Sequence, residues 1–220
     1  MGIISVEQAD HLYWLGRYTE RVYTTINIYA KSYDTLIDGL VDSYKEFCQS
    51  IDIPNIYEDK KDFTKKYPFD ADNPDSIISN LNRAYDNAIT LRESIGSETL
   101  AYIQMAIYEM NKAAKSKAPM IELQKVNDNL LAFYGTVDDQ IDSENVRNII
   151  KAGKRIERID MYARLGVSKK ELAREIHRMV PRVKGSGLEY DSDRLERINA
   201  LVNEDVIDYY EIVKEVESIF

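Results

Sequence analysis

Two stretches of the chain carry the same arrangement of residues able to do chemistry. Gly16-Arg17-Tyr18-Thr19-Glu20-Arg21-Val22 recurs as Gly153-Lys154-Arg155-Ile156-Glu157-Arg158-Ile159, at a constant offset of 137 residues (153 − 16). Glutamate can give or take a proton, and the planar fork of arginine suits bidentate binding of a carboxylate or phosphate. One reading is therefore an enzyme in which Glu20 and Glu157 are the acid–base groups and Arg17, Arg21 and Arg158 hold an anion. A second is a meeting point of two helices. Adjacent residues on a helix do not face each other, so Glu20 and Arg21 do not neutralise one another. Arg17, three before Glu20, can pair with it, as Lys154 can with Glu157. Packing about a pseudo-twofold axis would instead cross the pairs, Glu20 to Arg158 or its neighbour and Glu157 to Arg21. Trp14, Arg17 and Arg21 share a flank on which a guanidinium can lie over the indole. Gly16 and Gly153 remove side-chain bulk and let another backbone come close, at a cost in helix propensity. A third reading is a plain scaffold whose ion pairs decorate helix faces for a few tenths of a kcal/mol each.

Other residues offer less. His11 and His177 have no ligand-spaced partners, and Cys48 has no neighbouring motif that would activate it. Asp138, Asp139 and Asp142 are acidic but lack calcium-loop spacing and its glycine. No serine or threonine sits in a nucleophile elbow, and there is no phosphate loop. No metal and no cofactor is expected.

The elements that must position the repeated phrases read as helices throughout. Ser5 with Gln8 three residues later predicts a capping box. Leu12, Leu15, Val22, Ile26, Tyr29, Tyr33, Leu36 and Leu40, with Thr19 filling the slot after Leu15, then follow three-four spacing, which predicts one long helix from about 6 to about 48. Pattern is lost from 51 to about 73, a long connection with room for a short helical turn. Asp72-Asn73-Pro74-Asp75-Ser76 predicts the start of a helix running to Ile95, stopped by Gly96. Further helices are expected over Ser97–Ala114, Pro119–Phe133 (ended by Gly135-Thr136) and Ser143–Leu165. Three more are expected over Ser168–Pro181, Ser192–Val202 and Asp205–Ile219, with Gly185-Ser186-Gly187 as a connection. No period-two strand series occurs. The expectation is an all-α multi-helix bundle, one domain over 1–220.

Composition narrows the function class. The net charge of −9 opposes general nucleic-acid binding. Basic residues outnumber acidic ones from Arg147 to Arg197, whereas Glu204 to Glu217 is acidic, so a local anion-binding face is compatible with the total. The 16 tyrosines suit half-buried helix seams. One cysteine excludes an internal disulfide and points to a reducing, cytoplasmic location. No apolar run approaches a membrane span, and no signal-peptide pattern opens the sequence. Met1-Gly2 begins a myristoylation pattern that Val6 breaks.

With its flanks, the repeated phrase resembles the alpha-E domain family, a bacterial all-helical group named for its Glu-Arg motif. The resemblance begins with Ala9-Asp10-His11-Leu12-Tyr13-Trp14-Leu15-Gly16-Arg17-Tyr18-Thr19-Glu20-Arg21. It continues through Asp72 to Ile77, Arg92-Glu93, Ile95-Gly96-Ser97-Glu98 and Gly135-Thr136, and returns over Gly153 to Leu165. Lys154 stands where the family usually has arginine, and no aromatic residue precedes the second phrase. The resemblance implies association with ATP-grasp-type carboxylate–amine ligases and transglutaminase-like proteins in making or attaching small peptides. It implies no catalytic role for the helical domain itself. The expected function is a non-catalytic accessory module that binds the ligase or its peptide. Arg92, Glu93 and Glu98 resemble family positions and are candidates to join the same polar cluster; on spacing alone they are an intrahelical pair and a cap-region acid.

Overall fold

The computed structural model describes the backbone of residues 4–38 and 43–220, and the side chains of all of these except 34–38. Eleven helices and no strand occur among the described residues. They are α1 (Val6–Asp38), α2 (Ser43–Ser50), α3 (Lys60–Lys66), α4 (Ile77–Thr90), α5 (Arg92–Ile95), α6 (Ser97–Ala113), α7 (Pro119–Gln140), α8 (Glu144–Arg164), α9 (Lys169–Lys184), α10 (Ser192–Leu201) and α11 (Tyr209–Glu217).

Helix α1 is the centre, packing on α8, α4 and α7, while α8 also carries α9 and α11. Its apolar stripe explains this, since Leu12, Leu15, Val22 and Ile26 are all buried. Two hydrophobic clusters result. One gathers α1 to α7 with one side of α8, from Val146 to Met161; the other joins Ala152, Ile156, Ile159 and Ala163 of α8 to α9, α10 and α11, and Tyr13 touches both. None of the described helices is long and apolar enough to cross a membrane.

The expected long N-terminal helix forms as α1, but a single rod reaching residue 48 does not. The Phe47 ring lies 6.1 Å from that of Tyr29, whereas their separation of 18 positions (47 − 29) would span about 27 Å in one helix. Burial decides this: Tyr29, Phe47, Phe63 and Tyr67 gather into one ring cluster. Tyr29 and Tyr67 are fully buried there rather than half-buried. Leu40, Met1-Gly2 and the side chain of Leu36 lie outside the described residues.

Some caps and breaks differ from those the sequence pattern predicts. Ser5 Oγ accepts from Gln8 N at 3.1 Å, but the Gln8 side chain donates to Ser94 Oγ at 2.7 Å, so only half of the capping box forms. The cap before α4 is Ser76, while Asn73 closes a turn onto Asp75 N at 3.0 Å. Helix α7 runs through Gly135 to Gln140, and α9 runs through Pro181 to Lys184. Buried Phe133, Tyr134 and Val137, and Met179 with Val183, continue the apolar faces across both interruptions, outweighing a propensity cost of about 1 kcal/mol for glycine. Ser143 and Ser168 cap α8 and α9 as expected.

Candidate functional site

Helices α1 and α8 meet glycine to backbone, and the contact is symmetrical. A Cβ on Gly16 would lie 2.0 Å from the carbonyl oxygen of Ile150, and one on Gly153 would lie 2.2 Å from that of Tyr13. Ile150 is the counterpart of Tyr13 at the 137-residue offset (150 − 13). The repeated phrase thus forms a pseudo-twofold contact that tolerates no side chain at its centre.

That approach brings the charges of each helix onto the other. Arg158 Nε donates to Glu20 Oε1 at 2.6 Å, and Arg21 Nε donates to Glu157 Oε1. The crossed pairs form, and the two intrahelical ones do not. Arg17 Nε donates to Glu157 Oε2 at 2.6 Å instead of meeting Glu20. Lys154 places Nζ 3.2 Å from the centroid of the Tyr134 ring. Although Glu20 and Glu157 lie off the leucine stripe, both are fully buried, because the glycine face is a second packed face.

The two carboxylates differ in environment. Burial pushes the pKa of Glu157 up, but Arg17 and Arg21 outweigh it and hold the group below the ordinary carboxylate value. Glu20 Oε1 also accepts from Thr24 Oγ1 at 2.9 Å, whereas Oε2 is buried with no partner. Burial is also the largest influence on Lys154, lowering its pKa to about 7 against the opposing pull of Glu20.

Residues not singled out by the sequence complete the network. Asp160 accepts from Arg17 Nη2 at 3.3 Å and from Arg164 Nε at 2.6 Å. Burial first, then the charge of Glu157, raises the pKa of Asp160. Fully buried Glu175 on α9 takes Arg155, with Arg178 at 3.1 Å and Arg174 at 3.3 Å. Tyr134 donates to Gly16 O at 3.2 Å, tying α7 to the glycine contact. Only the flanking of Glu175 by Arg174 and Arg178 left a trace in sequence.

An aromatic and cationic groove of about 540 Å³ opens beside Arg17 and Arg21. Trp14 stacks on Tyr18 (5.2 Å between centroids), and Tyr13 meets Phe220 edge-on at 5.5 Å. The Arg17 guanidinium lies 5.3 Å from the Trp14 ring, as the shared flank predicted. Arg83 stands 5.7 Å from the Tyr18 ring. Its hydrogen bonds go to the uncharged Pro74 O at 2.9 Å and Asn80 Oδ1 at 3.4 Å.

Arg92, Glu93 and Glu98 do not join this cluster. All three are exposed around α5 and the start of α6, and Arg92 donates to Ser97 Oγ at 3.3 Å. That segment packs near the first turn of α1, where Gln8 meets Ser94, rather than beside Glu20. His11 is satisfied by Asn87 at 2.6 Å, and His177 is exposed. Burial pushes the Cys48 thiol up to about 11. Among the described residues no group of three His, Cys, Asp or Glu side chains is placed to hold a metal ion.

An all-α domain in which two Glu-Arg phrases cross at a glycine contact is the class that this geometry defines. The chain belongs to the Alpha-E family, described as "a predicted alpha-helical domain with a conserved ER motif", which matches residues 7–195. No curated protein and no solved structure matches the chain.

Proposed function

We propose that the chain is a non-catalytic binding module of a cytoplasmic peptide-ligation or peptide-modification system. In this role it presents the Trp14–Arg17–Arg21–Arg83 groove to a carboxylate-bearing peptide handled by an ATP-grasp-type ligase or a transglutaminase-like protein. The observation that carries this reading is the set of three arginines, Arg17, Arg21 and Arg83, that lines the groove. Arg17 and Arg21 both bond Glu157, Arg17 also meets Asp160, and Arg83 beside them makes its hydrogen bonds to neutral groups. The groove's own lining sets these three guanidiniums against one carboxylate, Glu217, on an aromatic floor that favours both arginine stacking and peptide side chains. The buried thiol of Cys48 is in keeping with a reducing compartment.

Acid–base catalysis by Glu20 and Glu157 has less support. A carboxylate held ionised by two arginines does not serve as a general acid at neutral pH, and both groups are sealed from solvent. The test is calorimetric titration of the chain with an oligo-glutamate peptide and with a partner ligase. Binding to either is expected, weakened about tenfold by Trp14→Ala or Arg83→Ala, neither of which removes a buried ion pair. No affinity for the peptide or the ligase would defeat the reading.

A further inference from the structure

On the other side of Arg21 lies a smaller cavity of about 180 Å³, bounded by α1, the 51–53 turn, α4 and α8. Its polar wall includes Arg21, Thr25, Tyr67 and Asp75, with Arg164 and Asp52 at one side. Arg164 and Asp52 pair with each other at 2.6 Å.

The other four face the cavity with unused bonding capacity. Tyr67 and Thr25 are 1 % and 4 % exposed. Among the described residues no hydrogen bond engages Tyr67 Oη or Thr25 Oγ1. Both departures are informative, since buried hydroxyls are nearly always paired and a helical threonine usually turns back to a carbonyl one turn earlier. Arg21 uses Nε for Glu157, and no hydrogen bond among the described residues takes its terminal nitrogens. The Asp75 carboxylate likewise meets no cation among the described residues. Burial raises the pKa of Tyr67 well above its ordinary value. Arg21 and Asp75 act on it with opposite signs, so charges of both signs reach this hydroxyl.

Charge balance selects the ligand. Two guanidiniums and two carboxylates line the cavity, so a phosphate or dicarboxylate would meet repulsion that a neutral zwitterion does not. A cavity of about 180 Å³ suits a small molecule rather than a peptide. Val22, Ile77 and Met161 supply an apolar wall for a side chain. We propose that this cavity binds a free α-amino acid. Its carboxylate lies on Arg21 with donation from Tyr67 and Thr25, and its ammonium lies on Asp75. Arg21 borders both the cavity and the aromatic groove, but Tyr67, Thr25 and Asp75 line the cavity alone, so the inference does not rest on the peptide-ligation reading and the Tyr67 and Asp75 variants test it separately.

The test is calorimetry of the intact chain with L-alanine, L-leucine, L-glutamate and L-lysine, alongside propionate, alaninamide and inorganic phosphate. At least one amino acid is expected to bind, with propionate and alaninamide at least about tenfold weaker because each lacks one charge. Tyr67→Phe and Asp75→Asn should each weaken that binding about tenfold. Tyr67→Phe should not lower the melting temperature, since its hydroxyl holds no internal bond. Absence of binding by all four amino acids would overturn the proposal. So would phosphate or propionate binding as tightly, or affinity unchanged in both variants.

Discussion

Glu157 and Glu20 hold equivalent places on two helices, yet one is saturated and the other is not. Glu157 receives Arg17 on one oxygen and Arg21 on the other. Glu20 receives Arg158 and Thr24 on a single oxygen, and its second is empty. The difference traces to one residue. Arg17 reaches across the contact, whereas its counterpart Lys154 has no fork and rests on Tyr134. The glycines impose symmetry on the backbones, and side-chain chemistry is free to depart from it. The saturated half borders the groove and the small cavity; the unsatisfied half is closed in by α7 and α9.

The comparison breaks most completely if the backbones are pushed apart. Gly16→Ala and Gly153→Ala each force a Cβ into a carbonyl oxygen of the facing helix. Each should cost about 3–5 kcal/mol by overpacking and by opening the crossed pairs. Denaturant unfolding followed by circular dichroism measures this, and a loss below about 1 kcal/mol would mean that the helices do not touch there.

Neutralising one carboxylate at a time sharpens the contrast. Glu157→Gln strands two arginines and should cost about 3–5 kcal/mol. Glu20→Gln loses one arginine partner and should cost about 1–3 kcal/mol. Equal losses would contradict the asymmetry. The sign with pH follows from the depressed pKa of Glu157. Its stabilisation is present above the unfolded value of 4.5 and is lost as pH falls through the lower folded value. Glu157→Gln should lack that acid limb.

The smallest effect is a gain. Lys154→Arg supplies the missing fork to Glu20 Oε2 and should stabilise by about 1–3 kcal/mol. It should also remove a pH dependence. Between the folded pKa of about 7 and the ordinary 10.5, the unfolded chain holds the Lys154 proton and the folded chain does not. Wild-type stability therefore rises over that interval, by at most about 1.4 kcal/mol per pH unit, and the arginine variant should be flatter. Thermal melts from pH 7 to 10 would read both effects, and a wild-type curve that is level or falling would exclude the burial of Lys154.

The glycine contact and the crossed pairs were legible because a repeated phrase at constant offset carries register information. The helices were legible from three-four spacing. What escaped was set by partners remote in sequence. Arg83 enters the groove from α4 with no motif around it, and Tyr134 reaches Gly16 from α7. Glu175 is buried because Arg155, from the repeated phrase itself, closes on it from α8. Gly135 and Pro181 read as stops because local propensity favours stopping, and buried residues beyond each one override it. Arg92, Glu93 and Glu98 are candidates by resemblance alone, and they are exposed on the segment around Gly96, which meets α1 at Gln8 rather than at Glu20.

The glycine contact also constrains the order of assembly. Its two halves lie 137 residues apart (153 − 16), so the surface of α1 that carries Gly16 and Glu20 is synthesised long before the surface that covers it. Contacts of such separation form late, because the intervening loop must first be closed. On the ribosome, α1 can pair with α4 and α7 while its glycine face waits for α8 to emerge. A chain halted before residue 153 would expose an apolar helix with an unmet carboxylate on it, which is a substrate for chaperones rather than a half-built domain.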